Sequence, residues 1–175
     1  MIVEQGGLDP TAVIGGRLST FGSNARLGRG EWIVVEADES DGSFLKLSTE
    51  LAIVTNVDRE HLDHYGSFER VCDAFVEFAN KVPFYGGVIV NVDDPVLAAL
   101  RARMTRRTVT YALDGAAADV VGRNVVLQAF GAACDVEVTF GGAAGPRTLG
   151  RLRLQVPGRH NLKNALAAVA VGLEL

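Results

Sequence analysis

The chain has 175 residues, 48% of them hydrophobic and 22% charged, a globular balance sufficient for one domain with a sizeable core. A formal net charge of -4 argues against a nucleic-acid binder, which carries a basic patch, and no apolar run approaches the roughly 20 residues that span a bilayer. No secretory leader pattern opens the chain, and Cys72 and Cys134 sit in no metal spacing, so both read as reduced thiols of a cytoplasmic protein.

In chain order, Trp32–Val35 is the first apolar, β-branched run and is predicted to be a buried strand. Leu51–Thr55 (LAIVT) and Gly87–Asn91 (GVIVN) are predicted strands of the same kind. Runs that are apolar throughout suit a parallel sheet covered on both faces. Between them, Phe68, Val71, Cys72, Phe75, Val76 and Ala79 recur at helical spacing. Ser67 is placed to cap that helix, Glu69 suits its positive end, and Pro83 stops it. A second helix is expected over Asp93–Met104, with Asp93 or Asp94 as cap and Pro95 in the first turn. Thr108–Tyr111 is a fourth predicted strand.

Residues 119–156 differ. VVLQAF, CDVEVTF and GRLRLQV are short, partly alternating runs split by glycine-rich turns, which predicts a small antiparallel excursion. Arg159–Leu175 returns to helix, with Leu162, Ala165, Leu166, Val169 and Leu173 on one face. The alternation of strand and helix predicts an α/β fold: a doubly wound, mostly parallel sheet flanked by helices, in a single domain over 1–175.

Three stretches could carry chemistry. The strand end WIVVEADESDGSFLKL packs Glu36, Asp38, Glu39 and Asp41 into six residues. Ligands of open α/β sheets bind beyond the carboxyl ends of strands, and Glu36 is the first residue past the apolar run, placed to hold Mg²⁺. A solvated acidic loop is the alternative. The second strand ends in TNVDREHLDHYGSF, with Asp58, Glu60, His61, Asp63 and His64, where an imidazole could meet a metal or a phosphate. Two such strand ends together favour a metal crevice over a plain capping loop. In PGRHNLKNALAAVAV, Asn161 and Asn164 lie on one helix face. An amide both donates to and accepts from a purine edge. From spacing alone, Asn161 as a helix cap is the plainer reading. No G-x-x-x-x-G-K-[ST] phosphate loop occurs.

EADESDGSFL, NVDREHLDHY, FANKVPFYGGVIVNVDDP and PGRHNLKNA, in that order, resemble the Mur ligases of peptidoglycan synthesis over nearly the whole chain. The resemblance implies the family's ATP-binding middle domain, without the phosphate loop that precedes such a segment or the C-terminal domain that follows it. By the same resemblance, Glu36 and His61 serve catalysis through Mg²⁺. Asn161, Asn164 and the adjoining His160 bind the adenine of ATP, and Asp38, Ser40, Asp41 and Ser43 face the muramyl substrate. The implied substrates are UDP-N-acetylmuramate and L-alanine. Later members carry a carbamylated lysine on the helix after the histidine motif; AFVEFAN has none, and Lys81 comes after it. Ser40 stands where murein-peptide ligases tend to have an aromatic residue. The rival expectations are a murein-peptide or D-glutamate-adding ligase, and a non-catalytic nucleotide-binding module.

Overall fold

A computed structural model describes residues 2–18, 22–114, 117–139 and 145–175. It divides into two compact units, Met1–Phe44 and Leu45–Leu175.

In the first unit, a four-residue helix α1 (Ile2–Gln5) precedes β1 (Thr11–Leu18), β2 (Ser23–Arg26) and β3 (Ile33–Val35). The three strands form one sheet in the order β2-β1-β3. β1 runs antiparallel to β2 and parallel to β3, with Thr11, Ala12 and Val13 opposite Ile33, Val34 and Val35. Arg26 stitches this unit together by pairing with Glu4 at 2.5 Å and Asp9 at 2.6 Å.

The expectation of a buried strand at Trp32–Val35 needs correction. The strand is present, but Ile33, Val34 and Val35 are 64%, 44% and 44% exposed. Apolar composition reports that a strand needs cover. It does not supply the cover: among the described residues, β3 pairs with β1 alone, and α1 is the one α-helix of this unit.

The second unit is built on a six-stranded sheet. Its strands are β4 (Leu51–Val54), β5 (Gly87–Asn91), β6 (Thr108–Leu113), β7 (Val120–Gln128), β8 (Gly131–Val138) and β9 (Arg147–Leu154), paired in that order. β4 to β7 are parallel, and β7, β8 and β9 are antiparallel. The antiparallel excursion is therefore a continuation of the parallel sheet, because β7 pairs with β6 at one edge and β8 at the other.

The helices are α2 (Leu62–Tyr65), α3 (Phe68–Lys81), α4 (Pro95–Leu100) and α5 (Arg159–Glu174). Ser67 Oγ accepts the N–H of Arg70, capping α3 as expected. Asp94 Oδ1 accepts the N–H of Leu97 at 2.8 Å, so Asp94 caps α4 and Pro95 opens it. This helix is shorter than predicted: α-geometry stops at Leu100 and a 3₁₀ turn, Arg101–Arg103, completes it.

α3 joins β4 to β5, and α4 joins β5 to β6, where it packs against β5. α5 covers the sheet over β5 to β8. The core beneath α5 gathers Ile89, Val109, Tyr111, Val120, Cys134, Leu162 and Leu166. Each large side chain buried there contributes about 1.5–3 kcal/mol. Gly122 makes the close fit possible, since a Cβ there would come within 2.6 Å of Leu113 and 3.1 Å of Leu166.

Candidate functional site

Parallel strands deliver their carboxyl ends to one edge of a sheet, where loops can carry chemistry without disturbing the core. In the first unit that edge is the end of β3. The N–H of Glu36 donates to Val13 O at 2.9 Å, extending the ladder by one residue. Its carboxylate Oε2 accepts the N–H of Gly15 at 2.7 Å. Glu36 is exposed, yet one of its oxygens is fixed against β1.

The acidic loop that follows is ordered by its own side chains. Asp38 Oδ1 accepts the N–H of Ser40 at 2.7 Å, and Asp41 Oδ1 accepts the N–H of Ser43 at 2.8 Å. These are two successive Asx turns. Gly42, inside the second turn, has a left-handed backbone at φ 71. Asp38, Ser40, Asp41 and Ser43 thus share one loop directly after Glu36.

In the second unit, the loop after β4 is braced by Asn56, which donates to Asp58 at 2.7 Å and accepts from Thr55 Oγ1 at 3.0 Å. His61 then adopts a left-handed backbone at φ 56, uncommon outside glycine. That bend turns the loop into α2, whose His64 and Tyr65 N–H groups donate to His61 O. His61 is half-buried, with Nε2 4.0 Å from Glu60 Oε2. Lys81, beyond the AFVEFAN stretch, donates to Leu45 O at 2.7 Å and pairs with Glu77 at 2.8 Å.

The start of α5 answers the question left open about Asn161. The cap residue is Gly158, at φ 106, with no side-chain cap bond. Asn161 donates through Nδ2 to Pro157 O at 2.7 Å, which orients its amide from inside the first turn. Asn164 is exposed one turn on, and His160 is exposed beside Gly158. A Cβ at position 158 would lie 2.6 Å from the His160 ring.

Residues that local patterns did not single out hold this helix start in place. Lys163 Nζ lies 3.3 Å from Asp93 Oδ2, in the loop after β5. Arg159 donates to Asp114 Oδ2 at 3.0 Å, in the loop after β6. The sequence offers Asp93 only as an alternative cap for α4. Because Asp94 fills that role, the Asp93 carboxylate is available for α5. Below it, the Tyr111 hydroxyl is buried with no hydrogen-bond partner among the described residues. Burial pushes this phenol's pKa upward, with Asp93 and Asp94 adding to the shift.

The donor set suits a hard cation completed by a ligand. Among the described residues, no three His, Cys, Asp or Glu side chains gather as a protein-built metal cage. Mg²⁺ is commonly held by one or two carboxylates together with substrate phosphates and water. Glu36, exposed and fixed by one oxygen, is chemically suited to such a half-site.

Comparison with known proteins places these elements in a family. The Mur ligase middle domain matches residues 19–172. The chain is 49% identical, over 99% of its length, to a UDP-N-acetylmuramate–L-alanine ligase of Mesorhizobium japonicum, covering 37% of that protein. It is 50% identical to the ligase of the same name from Aquifex aeolicus, with 99% of this chain and 37% of that protein covered. The chain therefore spans little more than a third of the length of these relatives. The crystal structure of UDP-N-acetylmuramate–alanine ligase from Thermotoga maritima superposes with a TM-score of 0.75 at 26% identity, covering 97% of this chain and 36% of that one.

Proposed function

The chain belongs to the Mur ligase middle-domain family, and from that premise we propose that it is the ATP-binding part of a UDP-N-acetylmuramate–L-alanine ligase. The observation that carries this reading is identity of about one half, along 99% of the chain, to relatives bearing that name. ATP phosphorylates the lactyl carboxylate of UDP-N-acetylmuramate. The amine of L-alanine attacks the acyl phosphate, and the tetrahedral intermediate collapses to an amide and inorganic phosphate. Catalysis of this kind is largely positioning and offsetting of phosphate charge.

The residues divide accordingly. Glu36, oriented by the Gly15 N–H, would hold one Mg²⁺, and His61 would hold a second. When bound, Mg²⁺ neutralises charge on the phosphate oxygens. Asn161 and Asn164 read the adenine edge, beside His160. Asp38, Ser40, Asp41 and Ser43 present the loop after β3 to the muramyl substrate. The phosphate loop and the amino-acid site belong to other segments of the same protein. No helix among the described residues is long and apolar enough to cross a membrane, and the soluble nucleotide-linked substrates suit a cytoplasmic enzyme.

Phosphate release by the full-length protein tests this. It should require ATP, Mg²⁺, UDP-N-acetylmuramate and L-alanine together. Release driven by a murein tripeptide, or by D-glutamate with the alanylated nucleotide, would assign the chain to another ligase. No release with any of them would favour a non-catalytic nucleotide-binding module.

A further inference from the structure

Four polar contacts link the carboxyl ends of three parallel strands to the first turns of α5. Asn91, the last residue of β5, is 4% exposed. Its Nδ2 donates to Thr55 O at 2.8 Å, where β4 gives way to the His61 loop. Its Oδ1 accepts the N–H of Asp93 at 3.1 Å. Asp93 Oδ2 accepts the N–H of Leu113 at 2.9 Å, at the end of β6. The same oxygen meets Lys163 Nζ at 3.3 Å, on α5 between Asn161 and Asn164.

A buried amide bonded through both its donor and its acceptor has little freedom to move. Asp93 is more than a turn former, because one of its oxygens serves a strand end and a helix at once. We infer that Asn91, Asp93 and Lys163 are positioning residues that fix the adenine-facing turn of α5 relative to the strand ends and the His61 loop. Lys163 therefore sets where the Asn161 and Asn164 amides stand without itself meeting the nucleotide. This inference rests on the nucleotide-binding reading above.

The experiment uses full-length protein and ADP as the probe. ADP affinity, thermal midpoint, and KM for ATP against kcat are measured for Lys163→Met, Asp93→Asn and the double variant. Lys163 is a partly exposed side chain, so Lys163→Met should fold normally. Asp93→Asn retains an oxygen for the Leu113 N–H while losing the charge. Each single variant should raise the Kd for ADP threefold or more, with KM for ATP rising in step and kcat at saturating ATP falling by less. The double variant should be no weaker than the weaker single one, because both changes break the same contact. Increases under threefold in both singles, or effects that multiply in the double, overturn the inference. If Asp93→Asn does not fold, Lys163→Met decides alone by the same threshold. Wild-type protein that fails to bind ADP overturns the nucleotide-binding reading itself, and the inference with it.

Discussion

The Glu36 carboxylate accepts the backbone N–H of Gly15 at 2.7 Å, tying the end of β3 to β1. One carboxylate oxygen is committed to the sheet, so in the proposed metal role the side chain would meet a cation already ordered. Glu36→Gln keeps an acceptor for Gly15 while removing the charge. In full-length protein, turnover should fall by about 100-fold or more, the order seen when one electrostatic stabiliser is lost. Its circular dichroism and thermal midpoint should match wild type. Phosphate-release assays across a Mg²⁺ titration would check this; normal turnover would remove Glu36 from the metal site.

Local pattern was sufficient for β5, α3 and α5, because each element's signal lies within its own segment: an unbroken apolar run, or a periodic apolar face, which in α3 is also opened by a capping serine. The burial of β3 was not legible, since its composition states a need for partners and not their presence. The same limit hid the role of Asp93. Its partners lie 20 residues away at Leu113 and farther still at Lys163, whereas the nearby Pro95 advertised only a helix start. Asn161 and Asn164 were visible as a pair, but the fold-back of Asn161 onto Pro157 depends on the turn at Gly158.

That turn yields a second prediction. Gly158 has φ 106 and ψ 143, a region nearly closed to residues with a Cβ, at a cost of about 1–3 kcal/mol. A Cβ would also press on the His160 ring. Gly158→Ala should therefore disturb the entry to α5 and raise KM for ATP several-fold, with a smaller change in kcat. Steady-state kinetics with varied ATP would show it. An unchanged KM would mean that the position of this turn does not matter to nucleotide binding.

At its other end, α5 is clamped by Glu174. Arg107 Nη1 donates to Glu174 Oε1 at 2.7 Å, and Nη2 meets Oε2, a two-pronged pairing. The Glu174 side chain is only 5% exposed, and Arg107 is 48% exposed. Arg107→Met leaves an enclosed carboxylate without its cation. Removing one partner of a fully buried pair costs about 3–5 kcal/mol, and the exposure of Arg107 lowers the expected loss to roughly 2 kcal/mol. Arg107→Met/Glu174→Met should recover most of that loss, because no charge is left stranded. Urea unfolding of the three proteins tests both parts; a double variant as unstable as Arg107→Met would mean that packing, not charge, is what Arg107 supplies.

Tyr111 supplies a prediction with a pH signature. Its side chain is 0% exposed, and its hydroxyl has no hydrogen-bond partner among the described residues. An unsatisfied buried hydroxyl costs about 1–3 kcal/mol, so Tyr111→Phe should be neutral or stabilising at pH 8, the reverse of most core substitutions. Burial raises the phenol's pKa above its ordinary value of 10.0. The folded chain then holds this proton more tightly than the unfolded chain does. Its contribution to stability is fully present below pH 10 and is lost as pH rises above that value. Between about pH 10 and pH 11.5, wild-type stability should therefore fall more steeply than that of Tyr111→Phe. Chemical denaturation at several pH values would measure both slopes. A Phe variant clearly less stable at pH 8, with an unchanged alkaline slope, would show that the hydroxyl has a partner in solution.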